Sequence, residues 1–311
     1  MSTLRIGTRG SALALWQAHF VRDRLQLLDP SLHIEIQVIT TTGDKILDRP
    51  LAEIGGKGLF IKEIEQALYD RAIDLAVHSL KDMPTEQPDG LLLAAYPDRD
   101  SPFDVLCARE PGMTLATLPP GARVGTGSLR RGAQLRRLRP DLVVEGLRGN
   151  VQTRLSRRVD PAPGLDAVVL AEAGLRRLGI WEDGFSVLRA PDYLPAPAQG
   201  ALAIEVRSDD DATFERVRAL DDPETRLSIT AERACLAAIE GDCHTPFAAY
   251  AWRDGDGLAL HARLLDEDGT STEGRRMVVL RDDPLQQASE LGAVLGRHLL
   301  ERHRAADERG R

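Results

Sequence analysis

Cysteine is scarce: Cys107, Cys235 and Cys243 are the only three in 311 residues. Three cysteines cannot build a disulfide framework, and an odd number leaves one thiol over. No CxxC pair exists, and Cys235 and Cys243, with one histidine nearby, do not have a zinc-ligand spacing. A reducing cytoplasm is the expected setting. Aromatic residues make up only 4%, which disfavours a surface that stacks on nucleic-acid bases. No apolar run approaches the roughly 18 residues needed to cross a membrane. The opening MSTLRIGTRG has no basic segment followed by an apolar one, so no secretory signal is expected.

Lysine is missing where positive charge is densest. Arg123 to Arg158 holds ten arginines and no lysine against Asp141 and Glu145, a net +8 in a chain whose total is −8. One arginine block in an otherwise acidic protein points to a local anion site, not a nucleic-acid coat.

Strand-like and helical runs alternate through the first two-thirds. LRIGT, HIEIQVIT and DLAVHSL read as strands, and GLFIKEIEQALYDR as a helix. Ser11 is placed to cap a helix from Ala12 to about Leu28, with Leu13, Trp16, Phe20 and Leu27 near one face. DVLCAR, RVGTG, LVVEGL and DAVVL read as strands of a second unit, and ALAIEVR as a strand returning to the first sheet. This rhythm predicts an α/β fold with largely parallel sheets. After Asp221 a helix leads to the turn EGDCHTP. Three strand-like runs and a helix from about Pro284 to His303 follow, as in a small α+β domain. The tail AADERGR is expected to be disordered. The sequence shows no internal repeat.

Five stretches could carry chemistry. HSLKDMP places Lys81 and Asp82 at a strand end, where ligands of open α/β sheets bind. A charged turn is the plainer reading, and His78 reads as a hydrogen-bonded core histidine. VGTGSLRR runs strand, glycine turn and helix start, so backbone N–H groups, Thr126, Ser128, Arg130 and Arg131 could converge on an anion. GLRGNVQTRLSRR adds Arg148 and Arg154, whose forks suit carboxylates or phosphates. Arg136, Arg137, Arg139, Arg157 and Arg158 read as solvated helix faces. TRGSALALWQ offers Arg9 and Ser11 at another strand end. Gly55, Gly56 and Gly58 around Lys57 make a hinge that is either a linker or a lid. Cys243, on its turn, could be a metal ligand, a nucleophile, half of a disulfide, an inert residue or an anchor for a covalent group.

Taken in order, TRGSALALWQ, GGKGLF, AVHSLKDMP, VGTGSLRR, LRGNVQTRL, LAEAGLRRLG, PAPAQGA and AERACLAAIEGDCHTP resemble the porphobilinogen deaminases, also called hydroxymethylbilane synthases. The resemblance implies that Cys243 holds a dipyrromethane cofactor by a thioether, and that four porphobilinogen molecules are condensed head to tail with loss of ammonia. Asp82 would be the catalytic carboxylate, stabilising a cationic azafulvene and accepting the proton released on C–C bond formation. Arg9, Ser11, Arg148, Arg154 and Arg177 would bind substrate. Lys81, Thr126, Ser128, Arg130, Arg131 and Gln199 would hold the cofactor. Lys57, Gly55, Gly56 and Gly58 would form a lid.

The implied fold has three domains, the first two like type II periplasmic binding proteins, with the active cleft between them. Residues 1–98 with 199–219 would form the first, 103–193 the second, and 220–311 a third with a three-stranded antiparallel sheet. The implied protein is a cytoplasmic monomer with no nucleic-acid, membrane or metal partner. Three departures from the family pattern stand out: Glu53 in the lid, Gly127 where GTSS has serine, and Asp242 before the cysteine. A carboxylate beside Cys243 would raise its thiol pKa, and a protonated His244 would offset that. Two rival readings remain at this stage. They are a non-catalytic oxyanion or carboxylate-binding protein, and a nucleic-acid binder using the +8 segment.

Overall fold

The computed structural model describes residues 3–45, 61–161, 164–241 and 245–310. Glu53, Gly55, Gly56, Lys57, Gly58, Asp242, Cys243 and His244 lie outside the described residues. The chain is α/β and forms two compact units, residues 1–100 with 201–226 and residues 101–200 with 227–311.

The first unit is built on strands β1 (Thr3–Thr8), β2 (His33–Val38), β3 (Leu75–Ser79), β4 (Leu91–Ala95) and, from far down the chain, β10 (Leu202–Arg207). Their order is β2-β1-β3-β10-β4. β1 runs parallel to β2 and β3, whereas β10 is antiparallel to β3 and β4. ALAIEVR thus returns to the first sheet as its sequence suggested. All six residues of β10 are buried, as a strand covered on both faces requires. HIEIQV keeps its alternation at the sheet edge, with Ile34 and Ile36 partly buried and His33 and Glu35 exposed.

The second unit contains β5 (Asp104–Ala108), β6 (Arg123–Gly125), β7 (Val143–Glu145), β8 (Ala167–Ala171) and β9 (Ser186–Leu188), in the order β7-β6-β8-β5-β9. β6 is parallel to β7 and β8, and β5 is antiparallel to β8 and β9. The two sheets therefore share one topology, with β10 and β5 as the reversed fourth strands. That repeat is one of strand order and direction: β10 joins its sheet last along the chain, whereas β5 joins its sheet first.

The same unit carries a meander of β11 (Phe247–Asp254), β12 (Gly257–Leu265) and β13 (Ser271–Val279). Leu258, Leu260, Ala262 and Leu264 of β12 face a core shared with Leu291, Leu295 and Leu299 of the last helix. On the other face Arg263, almost fully buried, donates from Nη1 to Gln134 Oε1 at 3.1 Å and to the Asp192 carbonyl at 2.9 Å. This is why the residues from Leu227 onward group with the second sheet.

Two expectations need correcting. Ser11 caps the Ala12–Leu28 helix as expected, accepting from the Ala14 N–H at 3.3 Å. The buried face, however, is Gln17, Ala18, Val21 and Leu25, and Leu27 is 77% exposed. Small Ala18 lets the helix lie close to the sheet. Trp16 and Phe20 instead stack on each other at 5.3 Å, with the Arg24 guanidinium over Phe20. The second correction is the tail. The last helix runs Pro284–Gly310, because Ala305, Ala306 and Glu308 favour helix and no breaker precedes Gly310.

Candidate active site

Leu80–Asp82 forms one 3₁₀ turn directly after β3. Leu80 and Met83 are buried and anchor the turn, so the residues between them face outward: Lys81 is half-buried and Asp82 exposed. The Leu80 N–H donates to the Ala201 carbonyl at 3.1 Å, and Gln17 Nε2 donates to Ser79 Oγ at 2.8 Å. Among the described residues, no group hydrogen-bonds to the Asp82 carboxylate. It is an exposed carboxylate on an anchored turn.

β1 is a parallel neighbour of β3, so Arg9 and Ser11 emerge at the same sheet edge as Lys81 and Asp82. Ser11 Oγ is occupied as an acceptor by its own helix cap, which leaves its O–H to donate. His78 points away from this edge into the core. Its Nε2 lies 2.9 Å from Glu205 Oε2, with both side chains buried. It is the core histidine its apolar neighbours suggested.

In the second unit β6, β7 and β8 are parallel, and their C-terminal ends collect the other cations. Thr126, Gly127 and Ser128 follow β6. Ser128 caps the Leu129–Leu138 helix, accepting from the Arg131 N–H at 3.4 Å, and its own N–H donates to Thr126 Oγ1 at 3.2 Å. Arg148 follows β7, half-buried, and makes no hydrogen bond or ion pair among the described residues. Arg154 lies on the Val151–Ser156 helix, which Asn150 caps. Arg177 closes the Glu172–Arg177 helix after β8 and donates from Nη2 to the Gly200 carbonyl at 2.6 Å.

Arg130 and Arg131 are not on the surface. Each is only 5% exposed, and both bind Asp104, the first residue of β5, which is fully buried. Arg130 Nη1 donates to Asp104 Oδ2 at 2.7 Å and to the Leu194 carbonyl at 2.8 Å. Arg131 donates to Asp104 Oδ1 from Nε at 2.9 Å and from Nη2 at 2.7 Å, and from Nη1 to the Val169 carbonyl at 3.1 Å. Gln199 Nε2 donates to the same Oδ1 at 2.9 Å and to the Pro102 carbonyl at 2.7 Å. Burial alone would raise the Asp104 carboxyl, but the charges and hydrogen bonds of the two arginines hold it well below the usual carboxylate range.

Asp104 is the residue that the sequence reading missed. Its signal was an aspartate at the head of the apolar run DVLCA, because a buried carboxylate requires a cation. The arginines set aside as helix-face residues do find other partners. Arg137 pairs with Glu273, Arg139 with Asp141, Arg157 with Asp160 and Arg158 with Glu182, while Arg136 binds the Glu267 carbonyl.

The two described thiols are unreactive. Burial pushes Cys107 and Cys235 up to about 12, so neither forms a thiolate near neutrality. Among the described residues no cluster of histidine, cysteine and carboxylates could hold a metal ion, and no helix is long and apolar enough to cross a membrane.

Comparison with known proteins covers nearly the whole chain. Residues 4–215 match the family model for the dipyrromethane cofactor-binding domain of porphobilinogen deaminase, and residues 226–301 match the model for its C-terminal domain. Curated porphobilinogen deaminases from Sorangium cellulosum and Roseiflexus castenholzii are 49% and 48% identical. They align over 95% and 96% of this chain and 98% and 96% of their own lengths. Among solved structures, an arginine-specific periplasmic binding protein of Salmonella typhimurium aligns with 71% of this chain and 92% of its own. It is 16% identical, with a TM-score of 0.36. From residue 4 to residue 301, in both of its recognised segments, this chain belongs to the porphobilinogen deaminase family.

Proposed function

We propose that this protein is a hydroxymethylbilane synthase, joining four porphobilinogen molecules head to tail into a linear tetrapyrrole and releasing one ammonia per step. The observation that carries the reading is Asp82, an exposed carboxylate fixed at the end of β3, in a chain that matches the family along its length.

The donor set suits a dipyrromethane bearing acetate and propionate groups. Arg148, Thr126, Ser128 and the Nε–Nη2 edge of Arg130 offer charged and neutral donors for carboxylates. With Cys107 and Cys235 buried, Cys243 is the thiol left to anchor the group. When bound, the dipyrromethane supplies the pyrrole end to which the first substrate is joined.

Asp82 hydrogen-bonds the departing nitrogen of the substrate. Its negative charge then stabilises the substrate cation left as ammonia goes. Once the new C–C bond has formed, the same carboxylate takes the proton from the pyrrole carbon. Arg9, Ser11, Arg148, Arg154 and Arg177 hold substrate carboxylates. Lys81 adds positive charge beside Asp82, and Gln199 acts through Asp104. Lys57 with Gly55, Gly56 and Gly58 is assigned the lid. We assign the protein to the cytoplasm as a monomer.

The experiment is incubation with porphobilinogen, following ammonia release and the colour of the oxidised porphyrin, beside Asp82→Asn. The intact mass of the parent is compared with that of Cys243→Ser. Turnover should fall ~10²–10⁴-fold in Asp82→Asn, the range for a general acid–base group. A mass excess of two linked pyrroles should be present in the parent and absent in Cys243→Ser. A parent that takes up porphobilinogen without releasing ammonia would be a binding protein, and the reading would be wrong.

A further inference from the structure

Ala196–Gln199 is a tight turn closed by the Gln199 N–H, which donates to the Ala196 carbonyl at 3.0 Å. Pro197 fixes its own φ at about −65°, whereas Ala198 has a φ of 59°. That combination is a type II turn, whose third residue occupies the left-handed region and is ordinarily glycine. An alanine there crowds its Cβ against the following carbonyl. A type I turn would relieve the crowding. The closing hydrogen bond survives, Ala198 moves to negative φ, and the Pro197–Ala198 peptide rotates by roughly half a turn. The N–H of that peptide belongs to Ala198, so its direction distinguishes the two forms.

This N–H donates to Glu232 Oε2 at 2.6 Å. Glu232 is fully buried on the Pro223–Ala238 helix, and its Oε1 accepts from the Ala251 N–H of β11 at 2.9 Å. Two residues earlier on β11, the Ala249 N–H donates to the Pro195 carbonyl at 3.1 Å. The carboxylate thus stands where the next backbone acceptor beside β11 would be. In the type I form the Pro197 carbonyl would face this carboxylate, acceptor against acceptor, and two buried acceptors without a proton between them are costly. Alanine favours one form of the turn and Glu232 the other, and the observed φ shows that Glu232 prevails.

We infer that Glu232 is a positioning residue: its carboxylate selects the type II form of the turn and so delivers Gln199 to its partners. Gln199 follows Ala198 directly, and its Nε2 reaches Asp104 Oδ1 at 2.9 Å and the Pro102 carbonyl at 2.7 Å together. Rotating the preceding peptide tilts the backbone that carries Gln199, and such supporting contacts tolerate shifts of only about 0.5 Å.

The kinetic part of the test rests on the proposed function; the structural part does not. In Glu232→Gln the amide oxygen can accept from Ala251 while Nε2 faces the turn as a donor. That pairing favours the type I form, in which Nε2 meets the Pro197 carbonyl. A crystal structure of the variant should therefore show Ala198 at negative φ. Measured well below the thermal midpoint, its kcat/KM for porphobilinogen should fall about tenfold, as when a supporting residue behind a site is lost. Ala198→Gly alone should raise the thermal midpoint and leave kcat/KM within about twofold of the parent, because glycine takes positive φ without strain. Added to Glu232→Gln, it should recover kcat/KM about threefold or more, a coupling expected of residues in contact.

Glu232→Asp keeps the charge but is too short for both N–H groups, and Ala198→Gly should recover its activity in the same way. The test therefore survives a Glu232→Gln variant that fails to fold. Ala198 keeping its positive φ in Glu232→Gln would overturn the inference. So would a flipped turn with unchanged kcat/KM, or a glycine that restores neither variant. A parent that releases no ammonia would refute the proposed function, while the crystal structure and the midpoints would still decide which turn Glu232 selects.

Discussion

Gly127 lies so close to the Leu147 carbonyl that a Cβ at position 127 would sit 2.5 Å from that oxygen. The family's more usual residue there is serine, so the glycine first reads as a lost hydroxyl donor. The contact gives it another meaning: the turn after β6 packs directly on the backbone that leads into Arg148. Gly127→Ser should therefore not improve the anion site. The obstacle is backbone, which cannot swing aside, so the turn or Arg148 must move. We expect a stability loss of ~1–3 kcal/mol, typical of overpacking, with a raised KM for porphobilinogen. Thermal melting and steady-state kinetics check both. A variant as stable as the parent and with lower KM would show that the turn has room.

Arg148 poses the opposite case. It has no hydrogen bond or ion pair among the described residues, so removing it breaks no polar contact among them. Arg148→Ala should leave the thermal midpoint within the range of ordinary surface changes, about ±0.5 kcal/mol. Loss of a charge-assisted hydrogen bond to a substrate carboxylate should raise KM about tenfold or more. A marked loss of stability with unchanged KM would make Arg148 a structural residue.

What the sequence revealed and what it hid divide along a physical line. Caps, alternation and strand-end motifs are local, so Ser11, Ser128, the Lys81–Asp82 turn and the return of ALAIEVR were all readable. The short strands Leu91–Ala95 and Ser186–Leu188 were not, because their identity as strands comes from their neighbours β10 and β5. The same holds for Asp104. Its meaning depends on Arg130, 26 residues on, and Gln199, 95 residues on. VGTGSLRR reads as an anion site, yet the motif alone could not show that both arginines turn inward onto one carboxylate. The helix face failed for a related reason. Size and hydrophobicity favoured Trp16 and Leu27, whereas close approach to the sheet favoured Ala18.

The three cysteines should separate cleanly by reactivity. Burial holds Cys107 and Cys235 at about 12, so at pH 8 almost none of either is thiolate. In the native protein carrying its covalent group, a thiol reagent at pH 8 should find no reactive cysteine. In guanidinium it should find two, because the proposed thioether would block Cys243. Protein lacking the group should show one reactive thiol when native and three when unfolded. A native, loaded sample with one fast-reacting thiol would mean that the anchor is not Cys243.

Glu65 gives a pH dependence whose sign differs from that of an ordinary paired carboxylate. It lies on the Lys62–Tyr69 helix, half-buried. Burial, then the charge of Glu205, raises its carboxyl above the ordinary value, against weaker pulls from His78 and Lys62. A raised folded value means that the folded state prefers the neutral acid. Its contribution is then fully present below the unfolded value, about 4.3, and is lost as pH rises through the folded one. At pH 7 the ionised group opposes folding. Glu65→Gln removes that charge at similar volume, so its urea midpoint should exceed the parent's at pH 7. The gain should shrink as pH falls and vanish near pH ~3.5, where both states of the parent are protonated. A gain that persists at the lower pH would come from packing. A loss at pH 7 would mean that the Glu65 carboxylate stabilises the fold through a cation, reversing the sign argued from its burial beside Glu205.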